Sequence, residues 1–236
     1  MNLGIIAAGD GQRLKDEGIK EPKPLIKIQG ITLLERALNV CEKYKFDSCS
    51  LIINENFRKD VLSSGILNNF RNTKINCIFK STPSSLHSLN ELKFNLSGDS
   101  FCLMTIDSIY RDSEFGEFIK SAGDEKQYDG LIAVTNFVDD EKPLWAGIDA
   151  DYKITGFGDE FKSSGLVTGG IYFFRNGIIE HTDTAIANNK VRLRNFLQYL
   201  IEAGIKLKAV PFSKMIDIDH AVDIDAAENF LQENHT

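Results

Sequence analysis

Two glycines and an arginine follow the first apolar run of the chain. The run LGIIA, Leu3 to Ala7, has the composition of a short buried strand, and Gly9, Gly11 and Arg13 come directly after it. Glycine permits a positive φ and leaves no side chain between the backbone and an approaching group. The arginine guanidinium adds a planar, permanent positive charge. The pattern predicts a loop that binds phosphate, although two glycines after a strand also form ordinary turns.

A second cation supports the phosphate interpretation. Lys23 lies ten positions after Arg13 and is enclosed by Pro22 and Pro24, which stiffen the chain around it. The two cations bracket one loop at the carboxyl end of the first strand, where ligands bind in open α/β sheets. A surface lysine between prolines is the alternative. The loop matches neither the dinucleotide fingerprint, because a third glycine is missing, nor the lysine and hydroxyl of a Walker A loop.

Composition limits the class of protein and its partners. The 236 residues are 42% hydrophobic and include only 5 prolines, values that predict a globular domain with a sizeable core. A net charge of -7 without a basic face argues against nucleic acid as a partner.

The 4 cysteines lie in apolar patterns without metal-ligand spacing, so we expect buried, reduced thiols. No signal peptide or membrane-spanning run is present, which predicts a cytoplasmic protein without a membrane partner. The sequence does not indicate an oligomeric state.

Strand and helix patterns alternate in the first half of the chain. A helix should begin at Thr32, where Thr32 and Glu35 have the spacing of a capping box. Strands that alternate with helices predict βαβ units, hence a mostly parallel central sheet with helices on both faces. The predicted strands cover 2–7, 50–53, 75–79 and 101–106, and the other predicted helices cover 57–69 and 85–94.

After Asp107 the alternation becomes less regular. We predict one domain, 1–236, in which 1–110 is a nucleotide-binding half and 111–236 faces the other substrate. The elements predicted in this second half are helices at 113–122, 177–187, 193–203 and 222–232, and strands at 131–135, 145–148, 153–155, 167–174, 207–210 and 215–218.

The N-terminal residues resemble a known family. AAGDGQRL (Ala7 to Leu14), followed by KPLI (Lys23 to Ile26), is similar to the signature of the NTP-transferase (sugar-nucleotidyltransferase) family. That signature is an apolar strand, A-[AG]-G-x-G-x-R-[LM], a short spacer and K-P-L. The resemblance implies a nucleotide-diphospho-sugar transferase-like fold with a nucleotide-binding βαβ N-terminal half. It also implies an enzyme that joins an NTP to a phosphorylated acceptor and releases pyrophosphate. The acceptor would be a sugar 1-phosphate, with phosphocholine-like alcohol phosphates as a second class.

The same resemblance gives roles to the residues of the signature. Ala8, Gly9 and Gly11 would lie along the base and phosphates of the nucleotide. Arg13 and Lys23 would neutralise charge on the triphosphate and on the pyrophosphate as it leaves, which makes them the candidate catalytic residues.

A small-residue turn would complete the nucleotide site. STPSS, from Ser81 to Ser85, stands where the family has a turn that contacts the base and begins a helix. Thr82 and Ser85 are the candidates there. Capping of that helix is an alternative role, which Ser85 could fill.

Three aspartates are candidate metal ligands. Asp107 ends a strand, where the family has a metal-binding aspartate, although a turn-forming or capping role is the alternative. MIDIDHAVD (Met215 to Asp223) resembles a family segment that supplies a second carboxylate, and it offers both Asp217 and Asp219. Strand alternation would put these two on one face. Mg²⁺ prefers oxygen ligands together with substrate phosphates. Because no basic residue neighbours these acids in sequence, we expect Mg²⁺ between them, with solvated strand-end acids as the alternative.

The acceptor site is expected in the second half. ITGFGDE, from Ile154 to Glu160, and the glycine-containing strand near Gly170 resemble the segments of the family that bind the sugar. The candidates are Glu160, Lys162 and Gly170, with Lys162 reaching the acceptor phosphate. A β-bulge is the structural alternative for Gly170.

Two other functions compete with nucleotidyl transfer. A glycosyltransferase with a related nucleotide-binding sheet would need an Asp-x-Asp motif, and the chain has Asp107-Ser108-Ile109 instead. A non-catalytic nucleotide-binding regulatory domain is the second alternative, favoured by the reduced sequence pattern around Asp107 and Asp219.

Overall fold

The structure is a computed structural model that describes residues 1–71, 73–138 and 141–233. Short apolar runs bounded by glycine and polar residues form its strands. In chain order they are β1 (Asn2–Ala7), β2 (Lys27–Ile28), β3 (Ile31–Thr32), β4 (Cys49–Ile53), β5 (Ile75–Phe79), β6 (Ser100–Thr105), β7 (Ser108–Ile109), β8 (Gly130–Thr135), β9 (Ala146–Ile148), β10 (Ile154–Phe157), β11 (Val167–Arg175), β12 (Leu207–Phe212) and β13 (Ile216–Asp217).

Helices with one apolar face connect and cover these strands. They are α1 (Gln12–Asp16), α2 (Leu33–Lys43), α3 (Arg58–Ser64), α4 (Ser85–Glu91), α5 (Lys93–Leu96), α6 (Asp112–Asp124), α7 (His181–Ala187), α8 (Leu193–Glu202) and α9 (Ala221–Gln232). None of the described helices is long and apolar enough to cross a lipid bilayer.

A seven-stranded sheet runs through the whole molecule in the order β12-β8-β11-β6-β1-β4-β5. Strand β1 pairs in parallel with β4 and β6, β4 with β5, and β8 with β12, whereas β11 is antiparallel to both of its neighbours. The mostly parallel sheet predicted from the sequence is therefore confirmed. Because β11 joins β6 to β8, strands from both halves of the chain share one sheet.

Each face of the sheet buries its own hydrophobic core. One core contains apolar residues of α2, α3, α6 and α9, such as Leu38 and Phe115. The other contains residues of α4, α5, α7 and α8, such as Leu89 and Phe196. Side chains of β1 alternate between the two cores, with Ile5 in the first and Ile6 in the second. The prediction of helices on both faces is confirmed.

The four cysteines carry thiols, as predicted. Cys41, Cys49 and Cys102 are buried in the strand and helix patterns, and Cys77 is half-buried.

A small pairing between distant segments shapes the substrate side of the sheet. Strand β7 follows Asp107 and pairs antiparallel with β13, which joins Ser108 to Asp217 and Ile109 to Ile216. In addition, the Ile218 amide donates to the Asp107 carbonyl at 3.1 Å. Chain segments more than a hundred residues apart are thereby held side by side at the carboxyl end of β6.

Candidate active site

Two adjoining cavities open at the carboxyl ends of β1 and β6. The larger, of about 450 Å³, and the smaller, of about 300 Å³, share Ile6, Gly9, Asp10 and Ser85 in their walls. We call them together the nucleotide cleft. The predicted nucleotide and catalytic residues all line it, together with two of the three predicted metal ligands. They are Ala8, Gly9, Gly11, Arg13, Lys23, Thr82, Ser85, Asp107 and Asp219.

The glycine loop enters helix α1 through a left-handed residue. Gly11 has φ 64° and ψ 32°, a conformation that is strained for residues with a side chain. Gly9 faces open space, with no atom within 4 Å of where a Cβ would lie. The loop thus forms one wall of the cleft, and its backbone is accessible at Gly9. Helix α1, which the sequence did not predict, directs Arg13 into the same space.

A charged cluster occupies the floor of the cleft. The Lys23 ammonium lies 2.6 Å from Asp107 Oδ2 and 2.7 Å from Asp219 Oδ1. Arg13 Nη1 lies 3.0 Å from Asp219 Oδ2. We refer to these four residues as the charged cluster. No basic residue neighbours these acids in sequence, but the fold brings Lys23 to them from 84 and 196 positions away in the chain, so a lysine and not only a metal ion can neutralise them.

Burial makes the central pair of the cluster electrostatically strong. The Lys23 side chain is 10% exposed and that of Asp107 is 22% exposed. Burial alone would lower the pKa of Lys23, but Asp107 and Asp219 raise it above its usual value. Burial alone would likewise raise the pKa of Asp107, but the Lys23 ammonium holds it below its usual value. Both shifts favour the ionised forms, so the contact is an ion pair at neutral pH.

Asp217 has a different environment from Asp219. Its Oδ1 accepts a hydrogen bond from Ser108 Oγ at 2.9 Å. Loss of hydration, followed by repulsion from Asp107, raises the pKa of Asp217 to about 7, although the residue is exposed at the end of β13. Strand β13 ends at Asp217, so a turn, and not strand alternation, directs Asp219 towards Lys23.

The arrangement of Asp107 and Asp219 fits a divalent cation. Their carboxylates converge on one ammonium, so a small cation of higher charge could replace it and take its remaining ligands from substrate phosphates, as Mg²⁺ does. Among the described residues there is no group of three or more histidine, cysteine or acidic side chains arranged around one point. A metal here would therefore depend on oxygen ligands from the nucleotide.

The small-residue turn forms the far wall of the cleft. Thr82 Oγ1 lies 2.6 Å from Ser88 Oγ, and Ser85 Oγ accepts from the Leu193 amide at 3.0 Å. Ser84, not Ser85, is the residue that precedes α4, and it makes no capping hydrogen bond through its side chain. The capping alternative for Ser85 is wrong, because its hydroxyl serves the start of α8.

Asn54 is a buried polar residue of the cleft that the sequence analysis missed. It follows β4, is only 6% exposed, and donates from Nδ2 to the Ala8 carbonyl at 3.0 Å. Its Oδ1 accepts from Ser81 Oγ at 3.1 Å. Asn54 therefore ties the glycine loop to the small-residue turn. A polar residue at the carboxyl end of a buried strand is the signal that would have found it.

A third cavity, of about 50 Å³, lies on the other side of Asp219. It shares Arg13 and Asp219 with the nucleotide cleft, and we call it the acceptor-side cavity. The rest of its wall comes mainly from the second half of the chain, namely Thr135, Phe137, Glu141, Pro143, Val167, Thr168, Gly169, Met215, Asp217, His220 and Asp223.

The three predicted acceptor residues are not in that wall. Glu160 and Lys162 are exposed in the 3-10 turn Asp159–Ser164, where the Lys162 ammonium lies 5.9 Å from the Trp145 ring centroid. Gly170 is buried at φ 76°, and a Cβ there would lie only 2.3 Å from Ser108 Oγ. The pairing of β11 with β8 shifts register around Gly170, so the β-bulge alternative is confirmed.

Comparison with known proteins places these residues in context. The sequence model of the family described as "Nucleotidyl transferase" matches residues 4–234. Among curated proteins, the bifunctional protein GlmU of Methanococcus maripaludis (strain C7) is 26% identical over 246 residues, which is 97% of this chain and 54% of GlmU. The chain thus spans about half the length of the curated relatives that it matches.

Solved structures share the fold. The inositol-1-phosphate CTP transferase from T. maritima superposes with a TM-score of 0.81 at 18% identity, covering 98% of this chain and 96% of that one. A UDP-glucose pyrophosphorylase complexed with UDP-glucose gives a TM-score of 0.78 at 17% identity, covering 99% and 98%. At these identities the likeness establishes the architecture of the sheet and its helices.

Proposed function

The chain belongs to the nucleotidyl transferase family, and from that premise we propose that it joins an NTP to a sugar 1-phosphate and releases pyrophosphate. The acceptor in the name of the T. maritima protein, inositol 1-phosphate, is a phosphorylated polyol, which supports an acceptor of this kind. Phosphocholine-like alcohol phosphates are the second class to be tested. We also propose that 1–110 binds the nucleotide and that 111–236, together with Asp219, faces the acceptor.

The observation that carries the proposal is the position of the charged cluster beside the glycine loop. Two cations, Arg13 and Lys23, and two carboxylates, Asp107 and Asp219, meet within a cleft of which the glycine loop forms one wall. Positive charge near the leaving group stabilises pyrophosphate as it departs, and a carboxylate pair can hold a metal ion that supplies part of that charge. A pocket for an uncharged ligand would require neither.

The transfer itself needs little from the protein beyond placement and charge. An oxygen of the acceptor phosphate attacks the α-phosphorus, a new P–O bond forms, and the bond from the α-phosphorus to the bridging oxygen breaks. The electron pair of that bond leaves with pyrophosphate. The acceptor phosphate is already anionic, so no general base is required, and positioning and charge neutralisation supply the rate. Lys23 and Arg13 would turn from the aspartates to the phosphates of the nucleotide.

Asp107 and Asp219 would hold Mg²⁺. When bound, the ion would neutralise phosphate charge between the two carboxylates. We assign Asp217 a supporting role, because Ser108 engages it and Lys23 contacts Asp219 instead. Glu160 and Lys162 remain predicted acceptor residues. We propose an indirect role for Gly170: it permits the β-bulge in β11 and leaves room for the Ser108 side chain.

The test is a screen for pyrophosphate release. The protein is incubated with each of the four NTPs, Mg²⁺ and a panel of sugar 1-phosphates and alcohol phosphates. Asp107→Asn should abolish release, whereas the exposed Asp124→Asn, at the end of α6, should not affect it. In a parallel assay with nucleotide sugars as donors, release of a nucleoside diphosphate would identify a glycosyltransferase instead. Nucleotide binding without turnover on any acceptor would support the regulatory domain.

A further inference from the structure

Glu17 connects helix α1 to the segment that carries Asp219. One oxygen of its carboxylate accepts from His220 Nδ1 at 2.6 Å, and the other accepts from the Ala221 amide at 2.6 Å. Ala221 is the first residue of α9, so this amide has no partner within its own helix. Both carboxylate oxygens of one residue are therefore engaged by a segment more than two hundred positions away in the chain.

Helix α1 has few other attachments. It is 5 residues long, it follows a glycine loop with open space on the side-chain position of Gly9, and its only buried residue is Leu14. A helix this short has little stability of its own. Its orientation must therefore be fixed by contacts with the rest of the protein.

Two contacts attach the same face of α1 to the Asp219 segment. Arg13 lies in α1, and Glu17 is the residue that caps its C-terminus. The Glu17 amide donates to the Arg13 carbonyl at 3.0 Å, so helical spacing places the two side chains on the same side. Arg13 contacts Asp219 at 3.0 Å, while Glu17 contacts His220 and Ala221. Under the proposed function, the Arg13 contact is broken when the guanidinium turns to the phosphates. The Glu17 contact involves no group that the nucleotide requires, so it persists through the reaction.

We propose that Glu17 is a positioning residue for nucleotidyl transfer, an inference that rests on the function proposed above. It keeps helix α1 on the Asp219 segment, so that Arg13 stays within reach of the departing phosphates after its ion pair with Asp219 is lost. The residue acts through Arg13 and does not touch the substrate.

Steady-state kinetics of three variants tests the proposal. Glu17→Ala should lower kcat by about tenfold, since displacement of a catalytic group by a fraction of an ångström has effects of this order. Glu17→Gln should stay within about threefold of the wild type, because its carboxamide can accept from Ala221 and donate to the imidazole. The matched control is Asp16→Ala, which removes an exposed carboxylate from the last residue of α1. Among the described residues this carboxylate accepts one side-chain hydrogen bond, from Gln12. It should change kcat by less than about twofold.

Non-additivity separates positioning from a general structural effect. In an Arg13→Ala background, Glu17→Ala should cost less than about twofold further, because the group that it positions is absent. An equal fold loss in both backgrounds, or a wild-type kcat in Glu17→Ala, would overturn the proposal.

Hydrogen exchange tests the attachment without relying on activity. In Glu17→Ala, the amides of 12–20 and of Ala221 should exchange faster than in Asp16→Ala. Unchanged exchange would show that Glu17 does not fix α1, whatever the kinetics. If exchange accelerates but the wild type releases no pyrophosphate with any substrate pair, the attachment is correct and the proposed function is wrong.

Discussion

Residues of the charged cluster contribute differently to stability and to rate. Lys23 is largely buried and neutralises two carboxylates, whereas the Arg13 side chain is 46% exposed and meets one. Removal of one partner from a buried pair leaves an uncompensated charge, which is costly, while exposed pairs contribute little. Both cations would nevertheless face the same leaving group during the reaction.

We therefore expect Lys23→Ala and Arg13→Ala to have similar kinetic but different thermodynamic effects. Each should lose at least about 100-fold in kcat, comparable with removal of an oxyanion donor. Lys23→Ala should also lower the free energy of unfolding by about 3 kcal/mol, and Arg13→Ala by less than about 1 kcal/mol. Urea unfolding and steady-state kinetics measure the two quantities. A rise in KM at unchanged kcat would show that the pair only binds substrate.

The three aspartates should separate into two groups. Asp107→Asn and Asp219→Asn each remove a carboxylate that contacts Lys23, so both should abolish Mg²⁺-dependent turnover while the fold is retained. Asp217→Asn keeps an acceptor for the Ser108 hydroxyl and should retain most of the turnover. Titration of activity with Mg²⁺ compares the three variants. Full activity of Asp107→Asn, or wild-type turnover in excess chelator, would contradict the metal site.

At the scale of secondary-structure elements, the glycine loop and helix α1 form one unit with two distinct glycines. Gly11 has a positive φ, and a Cβ there would lie 3.5 Å from Lys23 Cβ, an ordinary contact. Its requirement for glycine is thus conformational. Gly9 has open space around it, so its role concerns access to the backbone.

Alanine at Gly11 should therefore lower the stability of the protein, whereas alanine at Gly9 should weaken nucleotide binding. Gly11→Ala should lower the free energy of unfolding by about 1–2 kcal/mol, the cost of a left-handed non-glycine residue. Gly9→Ala should change it by less than about 0.5 kcal/mol but weaken NTP binding, because the methyl group enters the cleft. Thermal unfolding and fluorescent-nucleotide titration give the two measurements. Equal destabilisation by both variants would count against the conformational role of Gly11.

Local signals predicted some elements closely and left others undetected. The capping box at Thr32 and Glu35 is present as the spacing predicts, because both partners lie within one helical turn. The predicted helix over 57–69 is interrupted, since Gly65 ends α3 with φ 71° and a 3-10 turn follows. Helix α1 and the two-residue strands are too short to give a periodic pattern.

The sequence could not predict the tertiary contacts of the site, because these contacts join residues that are far apart in the chain. The signature identified Arg13, Lys23 and Asp107, but a motif does not state which charges meet. The contact of Lys23 with Asp219 depends on the pairing of β7 with β13, which brings together segments far apart in the chain. The position of Lys162 outside the acceptor-side cavity depends likewise on a tertiary contact, that of its ammonium with the Trp145 ring.

At the scale of the whole molecule, one sheet joins the two halves of the chain. Strand β11 lies between β6 and β8, and the charged cluster draws Arg13 and Lys23 from one half and Asp219 from the other. The nucleotide cleft and the acceptor-side cavity share Arg13 and Asp219 in their walls. We therefore expect a substrate that moves either side chain in one cavity to change the shape of the other cavity.

The ammonium of Lys23 between two carboxylates has a consequence for the order in which ligands associate. A divalent ion and the lysine compete for the same oxygens, and the nucleotide triphosphate offers the displaced lysine a new counter-ion. Metal and nucleotide should accordingly bind with positive cooperativity. By thermodynamic linkage, each should raise the affinity of the protein for the other by the same factor. We expect Mn²⁺ to bind the nucleotide-free protein weakly, and Lys23→Met to tighten that binding by about tenfold, within the usual range of such coupling. Electron paramagnetic resonance of free Mn²⁺ measures this affinity. The control is Lys20→Met, which removes one positive charge from an exposed position. Equal Mn²⁺ affinities in the wild type and Lys23→Met would mean that the lysine does not compete with the metal ion for the carboxylates.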